Sequence, residues 1–129
     1  MAEHSVGATL WKHIELFKPK LNIVENPSVG ELTAPAGICE LIDFALGTML
    51  QVVQNRNSGR VRVYCTVDDR QNLVLGVADD GPWYNISSQV RLSEICQWVY
   101  NIGGEYCLRS ITGKHNEVAV QLSVPLSRR

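Results

Sequence analysis

From Ile38 onward, apolar residues return every three or four positions: Ile38, Leu41, Ile42, Ala45, Leu46, Met49, Leu50 and Val53. That spacing lasts more than four turns of a 3.6-residue repeat and predicts a long helix with one face in a core. The run Asn55-Arg56-Asn57-Ser58-Gly59 marks its end. Val61, Val63 and Cys65 then alternate with Arg60, Arg62 and Tyr64, the period of two expected of a strand buried on one side. After a polar hairpin connection over 68–72, Leu73, Leu75 and Val77 continue the alternation. A second helical stripe follows in Leu92, Ile95, Cys96, Val99 and Ile102, and Gly103-Gly104 stops it where a left-handed C-cap belongs. Strands over 105–110 and 117–124 complete the pattern before Pro125. Ahead of the long helix, residues 10–17 predict a short amphipathic helix ending before Pro19 and residues 21–25 an edge strand, with loop signals at Asn26-Pro27 and Gly30.

The order is therefore helix, strand, long helix, hairpin, helix, hairpin. Tight polar turns join most consecutive strands, so the expected fold is a two-layer α/β sandwich. Its sheet is mixed and mostly antiparallel, with helices covering one face. No repeat, low-complexity tract or linker divides residues 1–129, which predict one domain ordered over about 10–126.

Composition narrows the function classes. The chain has 129 residues, a formal net charge of -1, and 45% hydrophobic and 19% charged residues, which suits a single globular core. Balanced charge predicts neither nucleic acid nor anionic lipid as partner, and the pairs Arg60/Arg62 and Arg128-Arg129 are too short for an electrostatic footprint. No uninterrupted apolar run approaches the roughly 18 residues of a membrane span. The start, Met1-Ala2-Glu3-His4, lacks the layout of a secretion signal, so a cytoplasmic location is expected. Cys39, Cys65, Cys96 and Cys107 form no Cys-x-x-Cys pair and predict buried, reduced thiols. His4, His13 and His115 have no metal-ligand spacing.

Two stretches carry the candidate chemistry: Glu40-Leu41-Ile42-Asp43-Phe44-Ala45 on the long helix, and Val77-Ala78-Asp79-Asp80-Gly81-Pro82-Trp83 after the second hairpin strand. In this order of elements they resemble two boxes of the ATP-binding domain of sensor histidine kinases, in the superfamily that includes gyrase, Hsp90 and MutL. The first box in that family reads Glu-Leu-x-x-Asn-Ala, and here Phe44 stands at the asparagine. The second reads Val-x-Asp-x-Gly-x-Gly, and here Trp83 stands at the second glycine. The helix from Arg91, the turn Gly103-Gly104 and the close Leu122-Ser123-Val124-Pro125-Leu126 are similar too, so the resemblance runs over about 10–126.

The resemblance implies a Bergerat-type ATPase fold with ATP and magnesium as cofactors. It makes Asp79 the acceptor for the adenine amino group, Gly81 a close backbone approach, and Asp43 and Phe44 nucleotide-end positions. Glu40 becomes the residue that polarises the attacking group. The departures fall mostly on the phosphate end. Magnesium takes hard oxygen ligands, and phenylalanine offers none. No glycine lies between Gly81 and Gly103, so the glycine-rich lid that donates N–H groups to phosphates is missing. The family's late Gly-Thr pair is likewise not found in Gly113-Lys114-His115-Asn116-Glu117.

A degenerate pseudo-ATPase that acts on a protein partner in a two-component pathway, a sensor kinase or a response regulator, fits these departures. The alternatives are a working ATP-binding domain with an unusual pocket, and a stand-alone serine kinase resembling anti-sigma-factor kinases. Both need a metal and a phosphate cradle to stabilise the moving charge. His13-Ile14-Glu15-Leu16 is similar to a phosphoacceptor motif, but only about two helical turns precede the ATPase-like region where a dimerising hairpin is required. Trp83 and Tyr84 are the candidate docking surface, since aromatic residues dominate interface hot spots. The chain also has the size of a piece of a longer sensor protein.

Overall fold

Ser5 sets the first helix. In the computed structural model, which describes residues 3–25, 27, 29, 31–55, 59–67, 72–81, 90–101, 105–111, 115–123 and 127–128, its backbone is extended and its hydroxyl accepts from Ala8 N at 3.1 Å. This satisfies one of the N–H groups a helix start leaves open. Helix α1 therefore runs Val6–Phe17, four residues earlier than the apolar stripe from Leu10 predicts. Val6, Leu10, Ile14 and Phe17 form its buried stripe.

The chain continues through strand β2 (Asn22–Glu25), strand β3 (Leu32–Pro35) and helix α2 (Ala36–Asn55). Strands β4 (Arg60–Val67) and β5 (Asn72–Asp79) form the expected hairpin. Helix α3 (Val90–Asn101) precedes the second hairpin of β6 (Glu105–Ile111) and β7 (His115–Ser123). Two short pieces at the chain ends, β1 (Glu3–Ser5) and β8 (Ser127–Arg128), pair antiparallel on either side of β3 in a small separate sheet. The sequence pattern predicts none of these three strands, because two to four residues are too few for a period of two and β3 is buried at Leu32, Thr33 and Ala34 without alternation.

The main sheet has the order β2-β4-β5-β7-β6. Strand β2 runs parallel to β4, joined through α2, and every other pair is antiparallel. Strand β7 returns between β5 and β6, so the segment through α3 crosses over one strand. Helix α2 lies against β5, and α3 against β6 and β7, giving the expected mixed two-layer α/β sandwich.

Helix α2 is the middle of the core. Leu41, Ile42, Ala45, Leu46, Met49 and Leu50 are at most 1% exposed, because α1, α3 and β5 surround it. This is why α2 is the one described helix long and apolar enough to cross a membrane by length and composition, although Glu40 and Asp43 interrupt its apolar run. Val61, Val63, Leu73, Leu75 and Val77 meet it from the sheet. On the opposite face Tyr64 lies over Gly76, where a Cβ has no room, and its hydroxyl donates to Glu117 at 2.9 Å. Cys39, Cys65 and Cys96 are buried free thiols, and burial pushes Cys65 up to about 12. The side chain of Cys107 lies outside the described residues.

A core of this kind makes position more important than residue type. Leu46→Ala is expected to lose about 2–5 kcal/mol of unfolding free energy in a urea titration. Leu16→Ala, at a residue 59% exposed, is expected to stay within about 0.5 kcal/mol of the unaltered chain.

Candidate functional site

The last residue of β5 continues an inward-facing row. Leu73, Leu75 and Val77 are buried, and Asp79 follows them at the same parity with only 3% of its surface exposed. A buried carboxylate needs hydrogen bonds. Asp79 Oδ1 accepts from Gly81 N at 3.0 Å and from Asn116 Nδ2 at 3.1 Å. Asn116 is 2% exposed and pairs directly with Asp79 in the β5–β7 register. Its amide also reaches the Gly81 carbonyl at 3.5 Å.

The next residue does the opposite. Asp80 faces outward and accepts from Arg60 N at 2.6 Å and Arg60 Nε at 2.9 Å, while its own N–H donates to the Arg60 carbonyl. The arginine holds its carboxyl below the usual carboxylate range. Gly59 leaves the space that this carboxylate fills. Asp80 thus closes the end of the β4–β5 hairpin, and Asp79 alone turns toward the helical layer.

Helix α2 gives Glu40, Asp43 and Phe44 different surroundings. Glu40 is exposed. Phe44, one turn later on the same side, packs against Trp98 of α3 with ring centroids 5.5 Å apart and planes tilted by 38°. Position 44 is therefore half-buried in an apolar contact between α2 and α3, and a phenyl ring there supplies no metal ligand. Asp43 turns to α1 instead: Lys12 Nζ lies 2.7 Å and His13 Nε2 2.6 Å from its Oδ1. Since a carboxylate only accepts, the histidine hydrogen in this contact sits on Nε2. His13 Nδ1 is buried without a partner among the described residues, and the ring lies against Gly47, the α2 residue one turn beyond Asp43. The Lys12 ammonium, then the His13 imidazole, hold the Asp43 carboxyl below its ordinary value.

The structure thus brings Asp79 and Gly81 together, and sends Asp43 and Phe44 to different neighbours. Sequence reasoning did not find Asn116 as the partner of Asp79, nor Lys12 and His13 as partners of Asp43. The one signal for Asn116 was that it falls in the segment where the family's Gly-Thr pair is lacking. Pro82, Trp83, Tyr84 and the rest of the 82–89 connection, with Gly103, Gly104 and Gly113, lie outside the described residues. Among the described residues no three His, Cys, Asp or Glu side chains are grouped to hold a metal ion. Asp79 is a buried acceptor at the position the resemblance gives to the base, and position 44, which it gives to a magnesium ligand, holds a phenyl ring with no oxygen to offer, so the residues present do not fit magnesium there.

Solved structures that share this fold include histidine kinases. The Acinetobacter baumannii histidine kinase AdeS superposes with a TM-score of 0.75 at 14% identity, over 96% of this chain and 68% of that one. The histidine kinase domain of the Erythrobacter litoralis EL346 blue-light activated kinase gives 0.77 at 15% identity, over 93% and 61%. Full-length ShkA in complex with AMPPNP gives 0.71 at 15%, over 99% of this chain and 32% of that one. The chain thus spans about two thirds of the first two and one third of the third. No protein-family model matches the sequence, and no curated protein matches it either.

The α1–α2 clamp has a pH signature. Asp43 has a native pKa below its ordinary 3.8, so its contribution is complete above that value and disappears as the pH falls through the lower native one. With Asp43 41% exposed, solvent screening limits the contribution to about 0.5–1 kcal/mol. Asp43→Ala is expected to lower the urea midpoint at pH 7, and the difference is expected to shrink progressively in titrations carried below the ordinary value of 3.8.

Proposed function

From the fold it shares with histidine kinase ATP-binding domains, we propose that this chain is a degenerate ATPase-like domain of two-component signalling. It regulates by binding a protein partner, a sensor kinase or a response regulator, and transfers no phosphoryl group. The observation that carries the reading is the Phe44–Trp98 contact. Any phosphoryl transfer in this fold needs an oxygen ligand for magnesium at position 44 and backbone donors for the phosphates. Here the first is an apolar bridge between two helices, and the sequence between Gly81 and Gly103 holds no glycine for the second.

The base end is retained. Asp79 and Gly81 keep the acceptor and the close turn, and the AMPPNP complex of ShkA supports nucleotide binding as a property of the fold. We assign Asp79 the role of base acceptor. Glu40, exposed one turn before Phe44, is left as a general-base position with no metal to place a phosphate beside it. The same reading makes the chain cytoplasmic, where two-component partners meet.

If the whole phosphate end is lost, restoring its two altered box residues does not rebuild it. Phe44→Asn combined with Trp83→Gly is expected to leave affinity for ATP with magnesium no better than about millimolar by calorimetry. Recovery of an affinity on the order of micromolar by these two changes alone would overturn the proposal.

A further inference from the structure

The face of the main sheet turned away from the helices carries an ordered set of charges. Val61, Val63, Leu73, Leu75, Val77 and Asp79 turn to the helical layer, so strand alternation puts Arg62, Tyr64, Val74, Gly76 and Ala78 on the other side. One row then runs in register across all five strands. Glu25 pairs with Arg62, Arg62 with Ala78, Ala78 with Glu117, and Glu117 with Arg109. The edge strand β2 joins this row through a bulge: the register passes over Val24 and so brings Glu25 level with Arg62.

From β2 to β6 the row reads acid, base, alanine, acid, base, with no net charge. Its reversal is its own complement. A second copy turned over about an axis along β5 sets Glu25 opposite Arg109, Arg62 opposite Glu117, and Ala78 opposite Ala78. The next row holds Tyr64, Gly76, Ala119 and Cys107 in register. Tyr64 lies over Gly76 and is tied to Glu117 at 2.9 Å, and the same turn sets this half-buried ring opposite the small residue Ala119. In the row beyond, which holds Thr66, Val74, Gln121 and Glu105, Thr66 meets Gln121 and Val74 meets Val74.

We propose that this outer sheet face is a two-fold interface whose occupant is a second copy of this chain. A two-fold contact presents the same patch from both sides, so it needs charges that complement their own reversal, which a solvated face does not. Five strands about 4.8 Å apart, with ladders of seven or eight residues at about 3.3 Å each, span roughly 600 Å² per copy. Two copies then bury about 1,200 Å², the low end of specific interfaces, so the dimer is weak and reversible. It is independent of what the end of β5 binds.

Sedimentation equilibrium of the full chain is the test. The unaltered protein is expected to dimerise with a Kd of about 10–100 µM, and to do so less as salt rises to about 0.5 M. Arg62→Glu sets acids face to face across the axis and Glu117→Arg sets bases face to face, so each variant alone is expected to dimerise at least about tenfold more weakly. An equal mixture of the two is expected to dimerise as the unaltered protein does. In the mixed pair each new acid faces a new base, and Arg62 of one copy faces Glu117 of the other; charges that act only within one chain gain nothing from mixing. Glu117→Arg also loses the Tyr64 bond. Where it does not fold, Val74→Cys in a Cys107→Ser background replaces the mixture: position 74 lies on the axis, the facing sheets are about 10 Å apart, and a short bifunctional maleimide is expected to give a covalent dimer. A chain that stays monomeric at about millimolar concentration overturns the proposal. So does a dimer that Arg62→Glu leaves unchanged, a mixture of folded variants that stays monomeric, or a Val74→Cys chain that gives no covalent dimer.

Discussion

Helix α2 has to be buried on almost every side, and the rest of the molecule follows from that requirement. Its apolar residues are too numerous for a single stripe, so one sheet cannot cover them. Helix α1 closes one flank with Val6, Leu10, Ile14 and Phe17, α3 closes the other with Leu92, Ile95 and Val99, and β5 lies beneath. Positions 43 and 44 of α2 are consequently seam residues. Asp43 is taken by Lys12 and His13 at the α1 seam, and the imidazole fits because Gly47 has no side chain. Phe44 fills the α3 seam against Trp98.

On the reading proposed above, that division is how the fold keeps one half of a ligand site and loses the other. The base end is built by the sheet, from the end of β5 and its register with β7, and needs only one buried carboxylate with its donors in place. On the same reading the metal and phosphate end falls on the helices, where positions 43 and 44 also serve the contacts with α1 and α3. Phenylalanine at position 44 would there exchange a metal contact for the apolar contact with Trp98, so the seam would keep its packing while the chemistry goes.

What was legible in the sequence was whatever repeats over many residues. The stripe from Ile38 to Val53 and the alternation of Val61, Val63 and Cys65 gave their elements the right type and nearly the right ends. The short strands β1, β3 and β8 escaped because two to four residues carry no period and their pairing joins distant parts of the chain. Helix α1 begins at Val6 because of a cap at Ser5, which a search for apolar spacing passes over. Asp79 and Gly81 were singled out through the box that holds them, and the folded chain joins them by a hydrogen bond. Asn116 was not, because its contact with Asp79 depends on the β5–β7 register, and the bonds from Lys12 and His13 to Asp43 depend on how two helices dock. Such pairings arise only once the chain is folded.

The loss of the metal end is tested most directly by calorimetric titration of the unaltered protein with ATP and with ADP, each with and without magnesium. If position 44 no longer serves a metal, the curves with and without magnesium superimpose and neither shows binding tighter than about millimolar. Magnesium-dependent binding of ATP on the order of micromolar would contradict the loss and make Glu40 and Asp79 parts of a working kinase site.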